Sequence, residues 1–267
     1  MDFATLGGLI LAFVAMFGAL FLMAGHGGGH GTAVNLAGFI DPPAIMMVIG
    51  GACAVALVGF PLSRVVSLAK TIKLLFIRKR EDPVLLIEQL VRLAEVARRD
   101  GLLALETKAQ EIEHPFVALG IQMAVDGIKP EVVEEVLRTE IRAMQGRHME
   151  TKKVFDLIGR CGPAFGLVAT LLGLILMLGN LSNADTIGPS MAMALIGTLY
   201  GVTTANLIAI PMGEKLGCLN HEEVTIKEII LKGVLAIQSG DSPRVVEQKL
   251  STFLPPAYRA RSESEAA

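Results

Sequence analysis

Cys161-Gly162-Pro163-Ala164-Phe165-Gly166-Leu167-Val168-Ala169-Thr170-Leu171-Leu172-Gly173-Leu174-Ile175-Leu176-Met177-Leu178-Gly179-Asn180-Leu181 carries no charged side chain from end to end. A helix needs roughly 20 mainly apolar residues to cross the hydrocarbon core of a bilayer, and this run is long enough. Helices at the surface of a globular protein keep one polar face, which this run lacks. Three more runs behave alike: Phe3 to Ala24, Ala44 to Leu62 and Met191 to Met212. The first is not a secretory signal, since no Lys or Arg precedes it and a glycine-rich segment follows.

Composition and charge narrow the class. Of 267 residues, 52% are hydrophobic and 19% charged, where a soluble domain carries about 25% charged residues. The formal net charge of −2 excludes a strongly basic nucleic-acid binder and an acidic disordered chain. Cys53, Cys161 and Cys218 are far apart and odd in number, so neither a disulfide framework nor a paired thiolate metal site is encoded.

The loops set the orientation. Gly25 to Ile40 and Ser182 to Ser190 contain no Lys or Arg. The segment between the hairpins opens with Arg64, Lys70, Lys73, Arg78, Lys79 and Arg80, and closes with Arg147, Lys152, Lys153 and Arg160. Positive charge stays on the cytoplasmic side, so this segment and both termini are expected there. The expected fold is an all-α membrane protein: four transmembrane helices in two hairpins, a cytoplasmic helical domain between them and a cytoplasmic C-terminal helix. Residues 1–62 form the first hairpin, with spans at about 3–24 and 44–62. Residues 63–156 are the cytoplasmic domain. Residues 157–212 form the second hairpin, with spans at about 161–181 and 191–212. Residues 213–267 are the C-terminal helices and tail.

The cytoplasmic parts read as helical. Val84, Ile87, Leu90, Val91, Ala94 and Ala97 recur at spacings of three and four, and Asp82 before Pro83 is an N-cap signal. Gly101 breaks this helix. Leu102 to Ile112, Pro115 to Val125 and Pro130 to Gln145 follow as separate helices, with a turn at Asp126-Gly127. In the tail, Glu222 to Gln238 and Pro243 to Leu254 are helical around a turn at Ser239-Gly240-Asp241, and Pro255-Pro256 ends the order.

Ionisable groups at bilayer depth are the default functional sites of a transporter, and no Asp, Glu, His, Lys or Arg lies inside any of the four runs. If the chain moves ions, a partner must supply the titrating group. The third and fourth runs carry hydroxyl and amide groups instead: Thr170, Asn180, Thr198, Tyr200, Thr203, Thr204 and Asn206. A lone membrane Thr usually back-bonds to its own helix, but several on adjacent helices could line a hydrated path or offer oxygens to a hard cation. Pro163 and Pro211 stand near the cytoplasmic ends of these runs, where each frees a carbonyl, as a hinge or as a helix-end marker. Gly162/Gly166 and Gly197/Gly201 have the spacing that lets helices approach closely, expected here between subunits. His26 and His30 lie among glycines that disfavour a helix, so Gly25 to Gly31 reads as a flexible outer loop rather than a metal site.

Several ordered strings together resemble the flagellar stator subunits of the MotA/PomA family, with the start closest to the PomA type. They are Met1-Asp2-Phe3-Ala4-Thr5-Leu6, Phe39-Ile40-Asp41 before Val48-Ile49-Gly50-Gly51, Gly101-Leu102-Leu103-Ala104-Leu105-Glu106 and Pro163 through Gly173. Ile187-Gly188-Pro189-Ser190-Met191-Ala192, Thr198-Leu199-Tyr200-Gly201 and Gly233-Val234-Leu235-Ala236-Ile237-Gln238 complete the set. The resemblance implies a pentameric ring around two copies of a single-span MotB- or PomB-type subunit in the bacterial inner membrane. That partner would carry the missing aspartate, and ion flow would be converted into torque on the rotor protein FliG. The transported ion would be Na+ or H+, with no resident cofactor and no enzyme activity.

By that likeness the ion pathway falls on Thr170, Thr198, Pro163, Pro211 and Asp41, and the rotor interface on Arg98, Arg99 and Glu106. Thr170 matches sodium-type members and favours Na+, while Gly197 stands where the PomA type has a second Thr. The rivals are an ExbB/TolQ-type proton channel, which has three spans, a non-conducting membrane scaffold, and a secondary transporter of a small solute. Besides the protein partners, only membrane lipid is expected, and no nucleic acid.

Overall fold

The structure, a computed structural model, describes residues 3–26, 39–77, 81–109 and 114–256, and these are helical with no strand among them. Asp2, His30, Arg78, Lys79, Arg80 and the last residues of the tail lie outside the described residues, as does most of the glycine–histidine loop.

Helix α1 covers Phe3–His26. Helix α2 covers Pro42–Gly59 and includes a π-helical turn at Met46–Gly50. It starts two residues earlier than the hydropathy implied, because Asp41 caps it and Pro42 and Pro43 fill its first positions. Proline suits a first turn, where its missing N–H would be unpaired anyway. It ends before Pro61, with Phe60 extended at φ −136° and ψ 150°, since a residue preceding proline is driven out of the helical region. Helix α3 follows at Leu62–Ile77.

Helices α4 (Pro83–Asp100), α5 (Leu105–Ala109) and α6 (Pro115–Val125) come next. Leu102–Ala104 forms a 3-10 turn rather than the start of a longer helix. The left-handed φ of 87° at Gly101 turns the chain there, a conformation glycine adopts at little cost.

Two helices are longer than expected. Helix α7 runs unbroken over Pro130–Gly179, 50 residues, with Pro163 inside it. Helix α8 runs over Ala184–Gln238, 55 residues. It begins at an Asn183 cap whose side chain accepts the Asp185 N–H at 3.2 Å, so most of the stretch expected as an outer loop is helical. The cytoplasmic helices expected at 130–145 and 222–238 are therefore continuous with the third and fourth apolar runs. A proline removes only its own N–H, and the surrounding helix formers carry the helix past it. Helix α9 is Pro243–Ser251. Among the described residues, three helices are long and apolar enough to cross a membrane: α2, α7 and α8.

The chain divides into two compact units, Met1–Lys79 with Met149–Gly217, and Arg80–His148 with Cys218–Ala267. In the first, many buried side chains are small: Ala44, Ala52, Ala56, Ala169, Ala194, Ala205 and Ala209. Large residues such as Leu167, Leu171, Ile175 and Leu178 are exposed. That inversion suits a hydrocarbon solvent, where helices gain by close packing rather than by hiding leucines from water. The second unit has an ordinary aliphatic core, with Leu90, Leu105, Leu137, Ile229, Val234 and Leu250 fully buried. The expected stripe on α4 widens there, since Leu86 and Leu93 are buried beside Ile87, Leu90 and Ala94.

Candidate functional site

The site is built on a seam between α7 and α8. A β-carbon placed on Gly162 would stand 3.0 Å from the Gly201 carbonyl oxygen. On Gly166 it would stand 3.2 Å from the Gly197 carbonyl oxygen, and on Gly173 2.7 Å from the Ala194 β-carbon. The four-residue glycine spacing thus closes the hairpin within one chain, which corrects the expectation that it packs subunits together. The physical reason is local: α7 and α8 are joined by a short turn at Asn180 to Asn183, so their small faces meet before any second copy can.

Thr170 and Thr198 face each other beside this seam, and their hydroxyls are hydrogen-bonded. Thr170 Oγ1 is 3.1 Å from the Gly166 carbonyl and 3.2 Å from that of Ala194. Thr198 Oγ1 is 3.2 Å from the Ala194 carbonyl and 3.5 Å from that of Gly166. One hydroxyl donates to the other, which donates to a carbonyl, so both protons are committed. Four oxygens are gathered in this way within apolar runs, 161–181 and 191–212, that hold no charged side chain, and oxygen is the ligand hard cations take. The two amide side chains of these runs serve their own helices. Asn180 Nδ2 donates to the Leu176 carbonyl at 3.2 Å, and Asn206 Nδ2 to the Val202 carbonyl at 2.9 Å.

The two prolines occupy different local settings. Pro163 lies between Gly162 and Gly166, where α7 touches α8. Pro211 directly follows a π-helical turn, Thr204–Ala209 with Ile210 as its cap. A wide turn is one way to re-accommodate the carbonyl a proline leaves unpaired. The helix continues beyond both, so neither marks a helix end.

Asp41 has a structural task. Its Oδ1 accepts the Ala44 N–H at 3.3 Å as the α2 cap, and its own N–H donates to Tyr200 Oη at 3.4 Å. The Tyr200 hydroxyl donates to the Phe39 carbonyl. Tyr200 therefore ties the start of α2 to α8, a role that its place among the hydroxyl residues did not reveal. Asp41 before two prolines was a readable cap signal.

In the second unit, Arg98 is exposed in the last turn of α4, with no ion-pair partner among the described residues. Arg99 binds Asp100 at 3.0–3.1 Å, and that hydrogen bond, then the nearby charge, holds its pKa above the ordinary arginine value. Glu106 is exposed in the first turn of α5. Arg98, Arg99 and Glu106 therefore flank the Gly101 turn, with cations where the negative end of a helix dipole favours them and an anion where the positive end does. No cluster of metal-ligating side chains exists among the described residues.

Long apolar helices packed along a small-residue seam, with no charged side chain in residues 161–181 or 191–212, define a helical membrane protein. Residues 108–229 match the family described as the MotA/TolQ/ExbB proton channel family. The chain is 39% identical to Motility protein A of Borreliella burgdorferi, over 87% of this chain and 90% of that protein. It is 37% identical to the chemotaxis protein PomA of Vibrio alginolyticus, over 97% and 98%. Among solved structures, that of the Bacillus subtilis flagellar MotAB stator complex matches with a TM-score of 0.86 at 31% identity. The match covers 96% of this chain and 97% of that one. The chain belongs to the MotA/PomA branch of this family, whose members are channel and motility subunits rather than enzymes.

Proposed function

We propose that this chain is an ion-driven flagellar stator subunit that turns cation flow into torque on FliG. Five copies surround two copies of a MotB- or PomB-type single-span partner in the bacterial inner membrane. The reading has four spans, α1 included, with both termini cytoplasmic. Clusters such as Arg64 and Lys70, or Lys152, Lys153 and Arg160, against opposite ends that hold no Lys or Arg, support that orientation. The exposed stripe of Leu167, Leu171, Ile175 and Leu178 supports cover by lipid, a neighbouring copy or a partner helix.

The observation that carries the reading is the Thr170–Thr198 oxygen cluster in two apolar runs without a carboxylate. The cation passes beside these oxygens to an acidic group on the partner helix. Pro163 and Pro211 give the two helices compliance, and Asp41 fixes the outer start of α2. Arg98, Arg99 and Glu106 form the rotor-facing surface, where charge complementarity steers and registers a partner. Sodium sheds water only in exchange for several oxygen ligands, which favours Na+ as the cargo. The family description names the proton, which is the second reading.

The deciding experiment expresses the chain with its partner in a host lacking its own stators. Swimming speed is measured against external sodium, with and without a proton uncoupler. Speed that rises with sodium and survives the uncoupler supports Na+. Speed abolished by the uncoupler and indifferent to sodium assigns H+. Failure to restore motility in either condition rejects the stator reading.

A further inference from the structure

Lys152 lies on α7 before the third apolar run, and its side chain is only 16% exposed. Its ammonium group donates to Asp156 Oδ1 at 3.1 Å and Oδ2 at 3.3 Å on its own helix, and to Glu214 Oε1 at 3.0 Å on α8. The hydrogen bond to Glu214 first, and that to Asp156 next, hold the lysine above its ordinary pKa, against a smaller desolvation cost.

The stem rests in a slot made by two glycines on one face of α8. A β-carbon on Gly217 would stand 3.3 Å from Lys152 Cε, and one on Gly213 3.0 Å from Asp156 Oδ1. Residues four apart share a helix face, so Gly213 and Gly217 together leave room for the whole side chain. Two residues earlier on α7, Glu150 pairs with Arg64 of α3. Ion pairs thus join α7 to the helices on both sides at the cytoplasmic end of this unit.

The location gives the bridge its meaning. Glu214 follows Pro211 by three residues, less than one turn, and the π-helical turn at Thr204–Ala209 precedes it. On the outer side of that irregular stretch, α8 is pinned to α7 by the glycine seam and the threonine pair. On the cytoplasmic side, Lys152–Glu214 is the first ion pair between the two helices, and Lys227–Glu140 and Lys232–Glu134 follow further along. Glu214 is the first polar side chain of α8 past Pro211, and Lys152 of α7 holds it.

We propose that Lys152 is a positioning residue of the torque cycle, latching the cytoplasmic arm of the Pro211 turn to α7 so that bending there opens and re-forms its bridge to Glu214. The proposal rests on the stator reading. A latch that must re-form in each cycle governs the work done by an assembled unit, not the assembly of that unit.

The test measures the speed increment per incorporated stator unit in single motors, beside membrane accumulation and co-purification of the partner. Lys152→Met keeps the stem in its slot and removes the charge. It is expected to assemble normally while the increment falls at least about threefold. Lys152→Arg is expected to restore most of the loss. So is the exchange Lys152→Glu with Glu214→Lys, which again sets one cation between two carboxylates. A normal increment in Lys152→Met, or an exchange variant that assembles without recovering, overturns the proposal. If Lys152→Met fails to accumulate, the exchange variant decides: recovery of both accumulation and increment supports the latch, and anything less overturns it. If the wild-type chain drives no motor, the stator reading has failed separately. Melting of the purified chain, Lys152→Met against the exchange variant, then still registers whether the bridge forms.

Discussion

The Thr170 hydroxyl on α7 is hydrogen-bonded to the Thr198 hydroxyl on α8, and both lie 3.2 Å from the same Ala194 carbonyl. The two groups are one unit, because removing either strips the other of its partner. Thr170→Val and Thr198→Val are each expected to destabilise the purified protein by about 1 kcal/mol. The double variant should cost clearly less than the sum. Thermal melting in detergent measures this; strictly additive losses would show that the hydroxyls act independently.

Gly173 tests the seam. Its missing side chain leaves room for the Ser190 carbonyl oxygen, 2.8 Å from where a β-carbon would stand, as well as for Ala194. Gly173→Val should therefore cost about 1–3 kcal/mol by overpacking, with loss of folded protein from the membrane. Gly179→Ala is the control, since nothing lies within 4 Å of a β-carbon there, and it should accumulate normally.

Asp41 separates a capping role from a charged one. Asp41→Asn keeps an oxygen for the Ala44 N–H and should leave stability nearly unchanged, whereas Asp41→Ala should cost about 1 kcal/mol. If the negative charge also serves ion uptake, Asp41→Asn alone will shift the dependence of swimming speed on external cation. Equal speed curves for Asp41→Asn and wild type would leave the residue a cap only.

Arg98→Glu and Glu106→Lys should impair swimming while the protein accumulates in the membrane. Both positions are exposed, and reversing a helix-terminal charge changes stability by no more than about 1 kcal/mol. Undiminished swimming with both substitutions present would remove these residues from the rotor interface.

The second unit should weaken in acid partly through Glu134. Its carboxylate accepts a hydrogen bond from Arg138 at 2.8 Å, and this interaction first, with the charges of Arg138 and Lys232, holds its pKa below the ordinary value. A carboxyl whose pKa is depressed on folding adds stability above its unfolded pKa, near about 4.3, and loses it as pH falls through the folded value. Glu134→Gln should therefore lower the melting temperature at pH 7, and the gap from wild type should close below about pH 4. A gap independent of pH would assign the loss to packing.

Much of the architecture was legible because it rests on local rules. Absence of charge marked the apolar runs, and Asp82 announced the start of α4, where its Oδ1 accepts the Val84 N–H at 2.9 Å. What escaped depends on partners distant in sequence. Pro163 and Pro211 look like breaks to a local reading, but the helices pass through them. The glycine pairs announced a close approach without naming the surface approached. Lys152 looked like one more positive charge marking the cytoplasmic side, because only the folded chain brings Glu214, 62 residues on, to its ammonium group. Tyr200 was one hydroxyl among several until Asp41 and Phe39 met it.

Along the glycine contacts, backbone lies against backbone, with Gly166 and Gly197 leaving no width for a file of water between α7 and α8. The hairpin accordingly has no bore. In the proposed function a hydrated cation travels along its flank, where Thr170 and Thr198 reach the edge, and another polypeptide builds the far bank of that stream. On that reading, a solitary copy of this chain is a shoreline, and it becomes a conduit only in company.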